Sequence, residues 1–211
     1  IKLIAKRYNK TATFMAKPFS KISGSGMHVH MSLLDSKGNN VFNNDTDLGS
    51  EILKSSVAGI LDNMSESTLI FAPHFNSYKR LRPGTHAPIN ICWGYENRTA
   101  AVRVPGGNYA AKRIEHRVAG ADANPYLVLS SILASVLDGI LNKKVPPEPV
   151  LGDTYRRKLS QIPMSWDQAI QSFGSSKRNR NFYSEVFCNV FKNCKLQEVE
   201  RFNARIEDHE I

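Results

Sequence analysis

The sequence predicts an α+β fold, with antiparallel strands early in the chain and packing helices after them. Two short segments, Met27 to Leu33 and Arg113 to Arg117, alternate apolar and polar residues with the period of a strand. Two longer ones, Ser50 to Met64 and the stretch opened by Asn124-Pro125, space their apolar residues as helices do. The chain has 211 residues, of which 41% are hydrophobic and 22% charged, enough to bury a core in one domain or a lobed one.

Taken in order, Thr11 to Ala16 has strand character and stops at Lys17-Pro18. After a Ser/Gly turn, Met27, Val29, Met31 and Leu33 point one way, and His28, His30 and Ser32 the other. Asp35 to Leu48 is polar and contains Gly38-Asn39-Asn40, a loop. Ile52, Leu53, Val57, Ile60, Leu61 and Met64 then mark a helix. Ala72-Pro73 opens a long ordered loop that runs to Pro88. Ile89 to Trp93 and Ala100 to Val104 read as strands on either side of Gly94-Tyr95-Glu96-Asn97, and Pro105 to Asn108 as a turn.

Arg113, Glu115 and Arg117 share one strand face; Ile114, His116 and Val118 share the other. Asn124-Pro125 is a helix start with Pro at the first position, and the helix runs through Leu129, Leu133, Val136, Leu137 and Ile140. Lys143 to Pro149 is a Pro-rich linker, and Ser165 to Gln168 fits a capping box. One last amphipathic helix is expected from about Phe182 to Ile206.

Charge narrows the function. With 28 Lys and Arg against 19 Asp and Glu, the chain carries +9 and suits an anionic partner. Arg156 to Lys158 and Lys177 to Arg180 read as solvated faces. Between Lys79 and Arg117, by contrast, six arginines meet only two carboxylates, Glu96 and Glu115, in strands and ordered loops. No run of eighteen apolar residues is present and no signal-peptide core follows the first residues. The three cysteines lack metal spacing; Cys188 and Cys194 either pair or, with Cys92, are buried thiols of a reducing cytoplasm. RNA-binding signatures, zinc modules and basic helices are absent, so nucleic acid is not the expected partner. The chain lacks an initiating Met and reads as a fragment.

The chemistry concentrates in two rows of side chains, His28/His30/Ser32 and Arg113/Glu115/Arg117. On one sheet they form either the solvent face of edge strands or a concave face of imidazoles, a carboxylate and guanidiniums. The second arrangement suits a divalent metal beside a phosphorylated ligand, because imidazole and carboxylate share the metal while arginines grip oxyanions in pairs. Ser23-Gly24-Ser25-Gly26, just before the histidines, is either a hairpin turn or a loop that lets backbone amides approach a ligand. It is not a Walker A loop.

Five ordered motifs then resemble the glutamine synthetase family of the bacterial type. These are Ser23 to Leu33; Asn76 to Pro88; Trp93-Gly94 with Asn97-Arg98-Thr99 and Val102 to Pro105; Arg113 to Arg117; and Asp122 to Tyr126. The γ-glutamylpolyamine or γ-glutamylputrescine synthetase-like branch is the nearest in pattern. The resemblance implies a glutamine synthetase/guanido kinase-like catalytic domain with an antiparallel curved sheet. It further implies that residues 1–211 are the C-terminal part of that domain, the N-terminal β-grasp domain and upstream metal-ligand strands being absent. The implied reaction is ATP-dependent: L-glutamate becomes a γ-glutamyl phosphate, and an amine or ammonia displaces the phosphate.

Carried over residue by residue, the resemblance implies His28 and Glu115 as ligands of Mg²⁺ or Mn²⁺. It implies His30, Ser32, Arg98, Arg103 and Arg113 as ATP contacts, and Gly24, Arg80, Arg98 and Arg117 as glutamate contacts. Arg98 would also stabilise the transferring phosphoryl group. Ammonia-using members carry a flap glutamate where this chain has Thr85-His86. An imidazole with an ordinary pKa near ~6.5 cannot hold an ammonium ion as a carboxylate does, which favours a primary amine or polyamine acceptor and gives His86 a catalytic position. Ala110 replaces a lysine common before the Arg-Ile-Glu strand. Homo-oligomers are implied for the full-length protein, and two metal ligands alone imply an inactive fragment. Two other readings remain: ammonia as the acceptor, and a silent structural relative.

Overall fold

A computed structural model describes residues 1–206. Its longest helix grows from the Ser50 cap. The Ser50 hydroxyl accepts the Leu53 amide at 3.2 Å, and a helix follows over Glu51–Phe71. It outruns the expected end at Met64 because Ser67 to Phe71 remain buried, so packing continues to reward the helical turn. The Asn124 side chain caps a second helix, Pro125–Leu141, by accepting the Tyr126 and Leu127 amides. Numbered in chain order, the helices are α1 (Lys2–Arg7), α2 (Glu51–Phe71), α3 (Phe75–Arg80), α4 (Pro125–Leu141), α5 (Trp166–Ser175), α6 (Lys177–Tyr183) and α7 (Glu185–Asn203).

The strands are β1 (Val29–Met31), β2 (Trp93–Tyr95), β3 (Val102–Val104) and β4 (Ile114–His116), in the spatial order β1-β4-β3-β2. Register does the positioning. His30 stands opposite Glu115, Glu115 opposite Arg103, and Arg103 opposite Gly94, so one row of chemical groups crosses the sheet. The alternate positions Val102, Val104, Ile114 and His116 are buried, and Met27, Val29, Met31 and Leu33 pack against the same core. This is the α+β layering expected, with helices on the apolar face.

One strand pair departs from an all-antiparallel sheet: β2 and β3 run parallel. The Asn97 side chain explains the path between them. It donates to the Val150 and Gly152 carbonyls and accepts from Thr99, drawing the 96–101 connection outward so that the chain re-enters in its original direction. The first of these strands also begins later than expected. Residues 89–92 bond to 160–162 instead, through Ile91 N–H to Ser160 and Ile162 N–H to Ile89.

Four other expectations are corrected. Residues 11–16 form no strand; near their end the Ala16 carbonyl accepts the Ser25 amide and so serves the glycine loop. The 72–88 segment contains α3, whose start is a reciprocal His74–Ser77 capping box. The last helix breaks at Ser184, where φ is +108°, giving α6 and α7. The Lys177–Arg180 run is not merely solvated, since Arg178 pairs with Asp62 and Glu66 and Asn179 is buried. Arg156 to Lys158 are exposed as expected. The 143–150 segment is laid against β2, with the Trp93 indole donating to Pro147 at 2.7 Å. All three thiols are free; Cys92 and Cys188 are buried and Cys194 is exposed.

α2 packs chiefly on α4, and the crossing is close because glycine meets glycine there. A Cβ on Gly59 would lie 2.0 Å from the Ser135 carbonyl oxygen, and one on Gly139 would lie 2.1 Å from that of Ser55.

Candidate active site

Glu115 is the hub of the polar row. Its side chain is 4% exposed, yet it receives the Arg103 guanidinium at 2.8 Å on one oxygen and that of Arg117 at 2.7 Å on the other. Burial works against its ionisation. The Arg103 hydrogen bond and the Arg117 charge outweigh burial and hold the carboxyl below its usual range. His28 approaches the same carboxylate, Nδ1 to Oε1 at 3.1 Å, and His30 Nε2 stands 3.9 Å from it.

Burial and the Arg117 charge lower the His28 pKa against the pull of Glu115, so the imidazole is neutral at pH 7 and available as a ligand. Cis donors around Mg²⁺ at ~2.1 Å lie ~3.0 Å apart, so His28 and Glu115 fit two neighbouring positions of a divalent shell. Among the described residues no group of three or more His, Cys, Asp or Glu side chains has the arrangement of a metal site. The chain thus offers part of a shell.

The arginines divide into held and free. Arg117 also donates to the Arg98 carbonyl at 2.7 Å, which fixes the backbone that presents the exposed Arg98 side chain. Arg113 donates to His30 Nδ1 at 3.3 Å and to the Ala111 carbonyl. Arg103 spans two carboxylates, Glu115 and Glu96, the latter at 2.5 Å. The Nε atoms of Arg103 and Arg117 are buried without partners.

Arg80 is placed differently. It is 4% exposed and donates to the Val118 and Arg117 carbonyls; burial brings its pKa down to about 10, where it is still protonated at pH 7. The glycine loop lies on it. A Cβ on Gly24 would be 2.4 Å from the Ala16 oxygen and 3.0 Å from Arg80 Cγ, and one on Gly26 would be 2.7 Å from an Arg80 nitrogen. Arg80 thus supports the loop from beneath. Ser32 and His86 are exposed, and His86 sits at φ +61° on the loop after α3 with no bond to the polar row. That loop is tied down by Thr85, whose hydroxyl donates to the Arg80 and Arg82 carbonyls, and by Tyr155, which donates to Ala87 at 2.7 Å.

The structure therefore unites His28, His30, Glu115, Arg103, Arg113 and Arg117, with Arg98 attached through its backbone. It leaves His86 and Ser32 outside the bonded cluster. One participant was not singled out from the sequence. Glu96 pairs with Arg103, and as one of only two carboxylates in the arginine-rich stretch it carried a signal that pointed to it.

A family model described as the glutamine synthetase catalytic domain matches residues 1–211. The chain is 39% identical over 211 residues to the γ-glutamylputrescine synthetase PuuA of Escherichia coli K12, covering all of this chain and 45% of that protein. It is 38% identical to a glutamate–isopropylamine ligase of a Pseudomonas species, covering 47% of it. It is 35% identical to a Staphylococcus aureus MRSA252 glutamine synthetase, covering 49% of it. Two solved structures, of GmaS without ligand and of a GmaS/ADP complex, superpose with TM-scores of 0.87 and 0.88 at 30% identity. Each covers 99% of this chain and about half of theirs. The chain spans about half the length of the curated relatives it matches.

Proposed function

The chain belongs to the glutamine synthetase family, and from that premise we propose that it carries the catalytic half of an ATP-dependent ligase forming γ-glutamyl amides. Membership supports reading it as part of a carbon–nitrogen ligase acting on glutamate. The observation that carries the finer reading is the row His30–Glu115–Arg103 with His28 at its edge, two imidazoles and one carboxylate among arginines.

In this reading, ATP phosphorylates the side-chain carboxylate of glutamate, and an amine nitrogen attacks the acyl phosphate and expels phosphate. Arg98, Arg103 and Arg113 neutralise phosphoryl oxygens, and Arg98 follows the charge of the transferring group. His30 and Ser32 contact the nucleotide. Arg117 orients glutamate near Gly24, with Arg80 bracing that loop. When bound between His28 and Glu115, Mg²⁺ or Mn²⁺ would supply further neutralisation of phosphate oxygens.

The acceptor is an organic primary amine or polyamine rather than ammonia. Support comes from His86 in the flap, where a cation-holding carboxylate is missing, and from relatives named for putrescine and isopropylamine. Ammonia is the second reading, favoured by the relatives named glutamine synthetase. We place the 211 residues as the C-terminal part of the catalytic domain, to be completed by a β-grasp domain and further metal-ligand strands in a cytoplasmic homo-oligomer. Two ligands leave Mg²⁺ short of its octahedron, so the 211-residue chain alone is expected to be silent.

The test is product identity. The protein expressed from its complete gene, given glutamate, ATP, Mg²⁺ and putrescine, should yield a γ-glutamyl amide by mass spectrometry. Absence of an amide with putrescine, monoamines and ammonia alike would refute the ligase reading.

A further inference from the structure

Glu96 does something that the proposed reaction does not ask of it. It follows β2 at φ +53°, a conformation non-glycine residues seldom adopt. Its side chain is 57% exposed, but both oxygens are engaged: one accepts the Arg103 guanidinium at 2.5 Å, the other the Gly106 amide. Arg103 is at the same time bonded to the buried Glu115 at 2.8 Å. A single guanidinium therefore lies between two carboxylates, and Glu115 takes Arg117 as well. Counted by charge, Glu96, Glu115, Arg103 and Arg117 cancel.

The consequence is electrostatic. Glu115 can hold Arg103 without help, because that bond is half-buried and well formed at 2.8 Å. Glu96 adds a negative charge on the solvent side of the guanidinium, where an incoming polyphosphate oxygen would have to approach. Its clasp on Gly106 also pins the start of the 105–112 segment that leads to Arg113. We propose that Glu96 is an internal counter-ion that competes with phosphoryl oxygens for Arg103, so that a polyphosphate binds at the price of displacing it. The role of Arg103 as a phosphate contact rests on the function proposed above; the competition itself concerns any polyphosphate anion.

Glu96→Gln is the informative variant, since it removes the charge at nearly the same shape: its one amide oxygen can still accept the Gly106 amide, while the amide NH2 then faces Arg103 and gives up that bond. Binding of inorganic tripolyphosphate and of ATP to the protein from its complete gene would be measured by calorimetry at low and moderate salt. E96Q is expected to tighten tripolyphosphate binding about three- to tenfold, with a smaller gain at higher salt. In the R103Q background the same change should give no gain, because the competition acts through Arg103. A thermal midpoint like that of wild type confirms that E96Q is folded.

Weaker or unchanged tripolyphosphate binding in folded E96Q overturns the proposal, as does an equal gain in the R103Q background. Failure of the ligase reading looks different: tripolyphosphate would bind and respond to E96Q, while ATP with glutamate and amine gave no amide.

Discussion

His28 Nδ1 lies 3.1 Å from Glu115 Oε1, across a β1–β4 register that sets His30 directly opposite the same carboxylate. Two strands distant in sequence thus deliver their polar faces to one point, and the arginines of β3 and of the segment after β4 close around it. The buried carboxylate is stable there only because two guanidiniums share it.

Removing that carboxylate should therefore be costly. Glu115→Ala leaves Arg117, 8% exposed at its side chain, without its counter-charge. A loss on the order of 3–5 kcal/mol is expected from breaking a buried pair on one side. Urea or guanidinium unfolding measures it; an unchanged midpoint would show that the cluster does not hold the sheet.

Arg98 gives the opposite pattern. Its side chain is exposed and its backbone is held by Arg117, so Arg98→Ala should fold normally. With Arg98 in the proposed role at the phosphoryl group, its loss in the protein from its complete gene predicts a fall of about 10²-fold in kcat. Steady-state phosphate release alongside a melting curve separates the two effects.

The glycine crossing of α2 and α4 makes a prediction about packing alone. Gly59→Ala or Gly139→Ala places a methyl about where a carbonyl oxygen already sits, so the helices must separate. The cost is on the order of 1–3 kcal/mol or more, read as a lower unfolding midpoint. Ser130→Ala on the exposed face of α4 serves as the neutral control.

Tyr183 links stability to alkaline pH. Burial pushes its phenol up to about 12, while an unfolded tyrosine ionises near ~10. Below ~10 both states are protonated and its contribution is intact. As pH rises from ~10 to about 12, the unfolded state alone loses its proton and the fold weakens. Wild type should lose more stability than Tyr183→Phe between about pH 9 and about pH 11. Parallel losses in the two proteins would contradict this.

The site was more legible than the frame around it. Period-two alternation identified His28, His30, Glu115 and their arginines because a strand with one buried face must alternate, and Asn124-Pro125 announced α4 because caps are local chemistry. α3 was hidden by its length: six residues hold too little pattern to outweigh the flanking prolines. The parallel β2–β3 pair depends on Asn97 reaching the carbonyls at 150 and 152, a contact no local signal contains. The break at Ser184 escaped because Phe182, Val186 and Phe187 keep helical spacing across it. The burial of Arg80 beneath the glycine loop is likewise a tertiary fact, invisible to residue type.

The central claim, a γ-glutamyl ligase that prefers an organic amine, is tested most directly by competition between acceptors. Glutamate-dependent phosphate release from ATP, measured with the protein from its complete gene, gives kcat/KM for putrescine, isopropylamine and ammonium under one set of conditions. At least one organic amine is expected ahead of ammonium by about tenfold or more, a transition-state difference of about 1.4 kcal/mol. Ammonium ahead of every organic amine would contradict it and return His86 to an ordinary flap residue of a glutamine-forming enzyme.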